Sequence, residues 1–553
     1  MNKIFEQLLQ IRGVGRDFLA PKYEKLTPPE ELPDMIPAIE RLILARDRGE
    51  KILVYGDYDV DGVTATAIML DTLEMLGVTG VEYMLPDRFV DGYGMSKRLV
   101  ERAKKTRVKL VITVDCGSNN GEIIDELAKV GIDVVVTDHH EVMGEIPKAV
   151  AVVNPKRPEF RKQVLARQAE IIDGASLADI SGLEELSGAG VAFMMAKALA
   201  NRGEIRAGQE KWLMDLAMIG IICDAMKLIK DNRIICKFGM IVLKKTRRPG
   251  LVELMRVAQT KKINAETIGF QIGPRLNAAG RLHTAELALK LLATKSRVEA
   301  AKLAGELDRL NAERKSQQNK AVNELEKQGE INDSVIVVKG EFNEGIVGII
   351  AGRLTEKYRK PSFVLTEVDG VLKGSGRSFG EFNLALALSE CQDLLIGGGG
   401  HAAACGVKLN IENFEEFRQK INEYYKGLGL KNQERFLDTK EDLVVTEVGE
   451  LNLDLLEEIS QLEPFGEGNP EPVFLIPDAF LLDVSRMGAE GQHLRILARG
   501  EDGKSIKLVA FNAPEEWLEL RSGGRANLWV ALTENEWNGI RSAEGRILKL
   551  NFY

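Results

Sequence analysis

Long apolar runs, paired cysteines and histidines are scarce in this sequence. No stretch reaches the ~18 consecutive apolar residues of a bilayer-spanning helix, so no membrane role is expected. Five cysteines, an odd number without paired spacing, exclude a disulfide scaffold and point to a reducing cytoplasm. The N-terminus, MNKIFEQLLQIRGVGRDF, is charged and amphipathic and lacks the apolar core of a secretory signal. Internal repeats and low-complexity tracts are absent. Basic residues are outnumbered, 74 Lys and Arg against 83 Asp and Glu, for a formal net charge of −9. As an average, that balance argues against a polyanionic partner. The remaining composition, 44% hydrophobic and 28% charged over 553 residues, is that of an ordinary soluble protein. At roughly 100–200 residues per domain, the length suggests about three or four domains.

Residues 1–45 read as a proline-punctuated lead-in ending in a helix, IPAIERLILARDRGE. From Lys51, short apolar strands alternate with helices: KILVYGDYDVDG into VTATAIMLDTLEML, VKLVITVDCG into NNGEIIDELAKVG, then IDVVVTDHHE. This alternation predicts an α/β, doubly wound parallel sheet over 46–296, with functional groups at the carboxyl ends of its strands. Residues 156–186 interrupt the pattern as an inserted, mostly helical excursion. A long charged helix over 297–330 carries Leu303, Leu307 and Leu310 as one apolar stripe. A second, smaller α/β unit follows over 331–430. The segment 438–553, rich in short strands and turns, reads as a small β-barrel.

Three of the expected strand ends are acidic. YGDYDVDG offers Asp57, Asp59 and Asp61, ITVDCG offers Asp115, and VVTDHHE offers Asp138, His139 and His140. Single aspartates at such positions commonly cap helices or shape turns. Five on successive strand ends, beside two of the chain's five histidines, call for another explanation. Carboxylates 4 Å apart repel by ~4 kcal/mol per pair at an effective dielectric near 20. Divalent cations would offset that repulsion, and an oxygen-plus-imidazole donor set favours Mn²⁺ or Mg²⁺ over structural zinc. Two such ions ~3.5–4 Å apart could supply a hydroxide and stabilise an in-line phosphoryl displacement. Asp224, which closes the apolar run LAMIGIICD, is the natural last ligand.

GDYDVDG, VDCG, TDHH and the aspartate of GIICDAMKL resemble the DHH phosphoesterase superfamily. IGFQIGPRLNAAGRL, LNAERK, EGIVGIIAGRL, GSGRS and GGGGHAAACG, in that order, narrow the resemblance to RecJ-type single-strand-specific exonucleases. LEPFGEGNPEPVF, the strands after it and EWNG resemble the RecJ OB-fold. The resemblance covers nearly the whole chain and implies DHH, DHHA1-like and OB-fold domains. It implies two divalent metals, Mn²⁺ or Mg²⁺, on Asp57, Asp59, Asp61, Asp115, His139 and Asp224. His140 would stand beside the scissile phosphate, with His401 facing it from the second lobe. Arg88, Arg281, Ser375 and Arg377 would hold a terminal 5′ phosphate, and the backbone of Gly399 and Gly400 would approach an anion closely. The implied activity is 5′ to 3′ removal of nucleotides from single-stranded DNA by a cytoplasmic, monomeric repair and recombination enzyme. A single-strand-binding protein and a helicase are its expected partners.

The sequence departs from that family at Cys223 and its neighbours before Asp224, at Lys227, where proline is usual, and at Cys405, where alanine is usual. Altered packing or rate is the expected consequence, since the ligands are intact. Two alternatives keep the fold: hydrolysis of short oligonucleotides or cyclic dinucleotides, and an inactive replication scaffold. The C-terminal barrel with Trp517, Trp529 and Trp537 weighs against the first, and the intact ligands against the second. The acidic average also hides a basic segment: residues 227–262 carry eleven Lys and Arg against Asp231 and Glu253. Such a segment either contacts phosphates or forms a solvated helix face.

Overall fold

The computed structural model describes residues 2–171, 182–328, 333–430 and 439–552. The chain forms two compact units, one of Met1–Leu26, Ala225–Lys237 and Leu437–Tyr553, the other of Thr27–Asp224 and Phe238–Phe436.

The larger unit carries both α/β sheets. In the first, β1 (Ile52–Tyr55), β2 (Val81–Met84), β3 (Leu110–Val114), β4 (Asp133–Thr137) and β5 (Ala151–Val153) are all parallel, in the order β2-β1-β3-β4-β5. The chain reverses its direction of winding between β1 and β3, and the crevice over such a point is where open α/β sheets bind ligands. β1 and β3 are buried along their whole length, as helices on both faces require. The excursion contains a helix over Pro158–Ile171, while its residues 172–181 lie outside those described.

The connecting helix runs Arg297–Gln328 and buries Leu303, Leu307 and Leu310 along its stripe. It leads into the second sheet, β6 (Ile336–Lys339), β7 (Ser362–Val368), β8 (Val371–Arg377), β9 (Leu395–Gly400) and β10 (Ala404–Asn410), ordered β6-β7-β8-β10-β9. Only β6 and β7 pair in parallel. Cys405 is a core residue of this sheet: its Sγ lies 2.7 Å from where a Cβ on Gly376 would stand, so it packs under β8.

The smaller unit is a barrel of β11 (Leu443–Val444), β12 (Phe474–Met487), β13 (His493–Arg499), β14 (Ser505–Ala510), β15 (Arg525–Trp537) and β16 (Ile540–Phe552). Its order is β11-β12-β13-β14-β16-β15, and a further β12–β15 pairing closes it. The lead-in is more ordered than its prolines suggest, because Ile4, Phe5 and Leu8 share one helical face. Helix Lys3–Arg12 buries that face in the barrel core, and Asn2 caps it. The three barrel tryptophans also separate. Trp529 is 8% exposed and donates to Glu441 from Nε1 at 2.8 Å, Trp517 packs against the core, and Trp537 is 74% exposed beside the hairpin turn.

The basic segment is only partly a surface. In the smaller unit, the Arg233 guanidinium donates to the carbonyls of Phe18, Gln461, Leu462 and Glu463, and the Lys237 ammonium to those of Leu19 and Gln461. In the larger unit, Arg248 pairs with Asp71 at 2.5 Å and with Asp215 at 3.4 Å, all three largely buried. Lys244, Lys245, Arg247, Lys261 and Lys262 remain exposed. Removing one member of a buried ion pair leaves its partners uncompensated. Arg248→Ala should therefore destabilise the protein by roughly 3 kcal/mol, read as a lowered unfolding midpoint. An unchanged midpoint would show that solvent screens these carboxylates.

Candidate active site

Each acidic residue reaches the crevice by a different local device. Asp57 follows β1 directly. Asp59 caps the helix Val60–Leu76, accepting from the Gly62 amide at 3.0 Å. Asp61, in the first turn of that helix, accepts from the amides of Gly188 at 2.6 Å and Ala189 at 3.0 Å, where the helix Gly188–Asn201 begins. Asp115 follows β3 with φ of 61°, a left-handed conformation uncommon outside glycine. Asp224 ends the helix Met214–Cys223, where the helix dipole disfavours a carboxylate.

These groups converge. His139 Nε2 lies 3.1 Å from Asp115 Oδ1, 3.6 Å from Asp224 Oδ2 and 3.7 Å from Asp61 Oδ2. Three overlapping groups have donor atoms within 4.8 Å of one another: Asp57 with Asp59 and Asp115, Asp61 with His139 and Asp224, and Asp115 with His139 and His140. Asp57 Oδ1 and Asp115 Oδ1 are buried without a hydrogen-bond partner among the described residues. Glycines make the approach possible: a Cβ on Gly188 would stand 2.5 Å from Asp115 Oδ1, and one on Gly220 would stand 2.3 Å from Asp61 Oδ1. Buried, unpaired carboxylate oxygens packed this tightly fit divalent cations, and the oxygen-rich donor set fits Mn²⁺ or Mg²⁺.

Without cations, Asp57, Asp61, Asp115 and Asp224 give up their protons less readily than ordinary carboxyls. Burial, then the charge of Asp59, pushes Asp57 up to about 8. The same causes, in the same order, raise Asp61 to about 6. Burial with Asp61 and Asp59 raises Asp224 to about 8, and burial with Asp61 raises Asp115. His139 is driven down to about 3 by burial and by His140, leaving a neutral imidazole suited to a metal.

Asp138 plays a different part from its neighbours. Oδ1 accepts from the amides of His139 and His140 and lies 2.8 Å from His140 Nδ1, while Oδ2 accepts from the Ser118 amide. Burial opposes its charge, but His140 and these amides hold it below the usual carboxylate range. Burial likewise opposes the charge on His140, and the bond to Asp138 outweighs that, raising His140 to about 9. Asp138 is thus an anchor that keeps His140 protonated beside the cluster. The half-exposed Tyr93 ring meets His140 edge-on at 5.1 Å.

Next to the acidic cluster lies a cationic one. Arg88 stacks over the Tyr58 ring at 4.3 Å, and its Nε is buried without a partner among the described residues. The Arg281 guanidinium donates to the Gly345 carbonyl at 3.3 Å, and Arg377 to the Gly376 carbonyl at 2.8 Å. Arg377 Nη2 and Ser375 Oγ converge on Gly348, 3.0 and 3.3 Å from where its Cβ would stand. Burial, then the charges of Arg88 and Arg314, lowers Arg281 to about 9, and Asp59 opposes this from the metal side. Arg314 has no place in the sequence-based site. Its signal was a cation four residues after Leu310, on the helix's apolar stripe. Gly399 and Gly400 lie in the exposed edge strand β9, paired with Gly406 and Cys405. His401 follows them outside the acidic cluster, and its charge acts on Glu141, the residue after His140.

Comparison with known proteins agrees with this layout. The DHH family N-terminal domain matches residues 51–221, the DHHA1 domain 332–427 and the RecJ OB domain 444–549. The single-stranded-DNA-specific exonuclease RecJ of Escherichia coli (strain K12) is 30% identical over 98% of this chain and 94% of its own length. The protein of that name from Bacillus subtilis (strain 168) is 36% identical over 96% of this chain, which spans 65% of that relative's length. The crystal structure of RecJ in complex with Mn²⁺ from Thermus thermophilus superposes with a TM-score of 0.82 at 31% identity. That match covers 100% of this chain and 76% of the other.

Metal binding requires ionised carboxylates. The raised values mean that the metal-free fold keeps protons the unfolded chain has lost. Its stability therefore falls as pH rises through about 6 to 8, while the gain from metal grows. The increase in Tm on adding Mn²⁺ to EDTA-treated protein should be larger at pH 8 than at pH 6. An equal increase at both would mean that these carboxyls are already ionised in the metal-free protein.

Proposed function

The chain belongs to the RecJ family of the DHH phosphoesterase superfamily, and from that premise we propose that it removes mononucleotides from the 5′ end of single-stranded DNA with two divalent cations. The carrying observation is the adjacency of two buried clusters of opposite charge, carboxylates with His139 on one side and arginines on the other, with Tyr58 between them. Asp57, Asp59, Asp61, Asp115, His139 and Asp224 would hold the metals, which would supply the activated water and the charge stabilisation of phosphodiester hydrolysis.

The protein's own groups supply the rest. Arg88, Arg281, Arg377 and Ser375 grip the terminal phosphate through guanidinium forks and a hydroxyl. With the chain end held there, the bond presented to the acidic cluster is near the terminus, which supports exonucleolytic cleavage. His140, held through Nδ1 by Asp138, keeps Nε2–H available as a proton and hydrogen-bond donor to a phosphate oxygen. His401 approaches the same region from the second lobe. The exposed Lys244, Lys245 and Arg247, and Trp537 on the barrel, offer phosphate and base contacts to the strand. No helix among the described residues is long and apolar enough to cross a membrane. A cytoplasmic location, a monomeric state, and work beside a single-strand-binding protein and a helicase in repair and recombination complete the proposal, on the family's account.

With Mn²⁺ and single strands blocked at each end in turn, digestion should proceed only where the 5′ end is free. Digestion confined to free 3′ ends would overturn the assigned direction. Asp115→Ala should lower hydrolysis by at least about a thousandfold while strand binding persists, in line with the loss of a metal's charge stabilisation. Unaltered hydrolysis would remove Asp115 from the site.

A further inference from the structure

We propose that Arg233 is a positioning residue for the metal centre: by clamping the chain that follows Asp224, it fixes where the helix Met214–Cys223 ends and so where the Asp224 carboxylate stands. This rests on the reading of Asp224 as a metal ligand. The larger unit runs as far as Asp224, the segment Ala225–Lys237 belongs to the barrel unit, and the chain returns to the larger unit at Phe238. Of the residues assigned to the metals, Asp224 alone borders such a junction.

The end of that helix needs outside support. Asp224 donates from its amide to the Gly220 carbonyl at 2.9 Å, as a helical residue does, and the next residue, Ala225, turns left-handed with φ of 53°. Glycine is the usual residue for such a stop, and an alanine keeps that conformation only where its surroundings hold the chain. A second left-handed residue, Lys230 with φ of 48°, opens the next helix. The helix dipole gives Asp224 no help, since it disfavours a carboxylate at a C-terminus. Its carboxylate is also the least enclosed of the three facing His139, 29% exposed against 1% for Asp61 and 2% for Asp115. Packing therefore fixes the side chain least at Asp224, and its backbone must do more.

The segment after Asp224 supplies that hold. Leu228, 2% exposed, donates its amide to the Glu467 carbonyl at 2.7 Å. Asn232 donates to the Lys227 carbonyl at 3.1 Å, and the Lys227 Cβ lies 3.0 Å from where a Cβ on Gly468 would stand. These two contacts use a carbonyl and a Cβ that proline also has, so the departure at Lys227 leaves them in place. Arg233, 2% exposed, commits four of its five N–H donors to backbone carbonyls at 2.8 to 3.1 Å: Nε to Phe18, Nη1 to Leu462, and Nη2 to Gln461 and Glu463. Its guanidinium also lies 3.7 Å from the centre of the Phe18 ring. The receiving loop is itself held, because Asn469 donates to the carbonyls of Leu462 and Pro464 and its backbone bridges to Gly466. Neither a shorter nor a neutral side chain makes four such bonds from one buried position, so the clamp depends on this residue.

The test measures Mn²⁺ binding by metal-stripped, full-length protein, with Tm in EDTA recorded alongside, for wild type, Asp224→Ala, Arg233→Gln, Arg233→Lys and Leu494→Ala, at a temperature where each is folded. Leu494 lies in the barrel core, makes none of these bonds and controls for lost stability. Asp224→Ala should weaken one Mn²⁺ site. Arg233→Gln should weaken the same site by about tenfold, the low end for a group that orients a ligand from behind. Arg233→Lys, which can still donate to some of the carbonyls, should recover part of the loss, and Leu494→Ala should lower Tm with Mn²⁺ affinity unchanged. If Asp224→Ala weakens binding while Arg233→Gln lowers only Tm, this proposal is wrong and the ligand reading stands. If Asp224→Ala leaves binding unchanged, the ligand reading fails and this proposal fails with it. An equal loss of affinity in Leu494→Ala would trace the effect to general stability and overturn the role of Arg233. Should Arg233→Gln not fold, Arg233→Lys decides: weaker Mn²⁺ binding than wild type upholds the clamp, and unchanged binding overturns it.

Discussion

The repulsion among buried carboxylates over the β1–β3 crevice is the constraint on which the rest of this structure depends. No sequence would gather Asp57, Asp61 and Asp115 at such low exposure without compensation, because each loses its hydration and meets like charge. The surroundings offset only part of that cost. The Gly188 and Ala189 amides serve Asp61, and the Gly62 amide serves Asp59, yet oxygens of Asp57 and Asp115 stay unbonded. The fold holds a site whose stable form includes cations. That explains why its glycines lie against carboxylates and why Asp115 keeps a left-handed backbone.

The arginine pocket is the same argument with the sign reversed. Buried guanidinium groups without carboxylate partners cost stability until an anion arrives. Placed side by side, the two clusters suit the proposed reaction, with a cationic anchor for the end of a phosphate chain and a metal-dependent centre for the adjoining bond. Tyr58 keeps them apart: its ring carries Arg88 on a face, and its backbone carbonyl lies 2.7 Å from where a Cβ on Gly280, one residue before Arg281, would stand. Direct neutralisation of Asp57 by Arg88 would remove the need for both ligands.

The acidic half of the site was legible because strand alternation places the residues after β1, β3 and β4 together at one sheet edge, whatever the sequence separation. The parallel sheet, the connecting helix and its leucine stripe were legible for the same reason, since periodicity is local. Asp138 was harder to read. Adjacent to His139, it looks like another ligand, and only the direction of its carboxylate toward the Ser118 amide and His140 Nδ1 shows an anchor. The N-terminal helix needed tertiary information. Ile4, Phe5 and Leu8 form an apolar face whose partner lies more than four hundred residues away in sequence. The glycine run illustrates the opposite limit. Its composition suggests a turn, yet a strand is what the second sheet makes of it, because Gly398 and Gly400 pass too close to β10 for a Cβ to fit.

Net charge proved the least informative quantity in the chain, and the structure shows why. The acidic excess includes carboxylates buried under the crevice, which a metal would neutralise and which a distant polyanion would not meet. The basic segment loses members too: Arg233 and Lys237 are spent on backbone carbonyls, and Arg248 on Asp71 and Asp215. A sum over residues counts all of these at full weight. Long-range attraction depends on what remains exposed within a Debye length of the partner, roughly 8–10 Å at physiological salt. Short-range recognition depends on buried groups that lack a counter-charge. By that measure the residues to weigh in the proposed phosphate site are Arg88, Arg281 and Arg377, three positions that barely alter the sum of the whole chain.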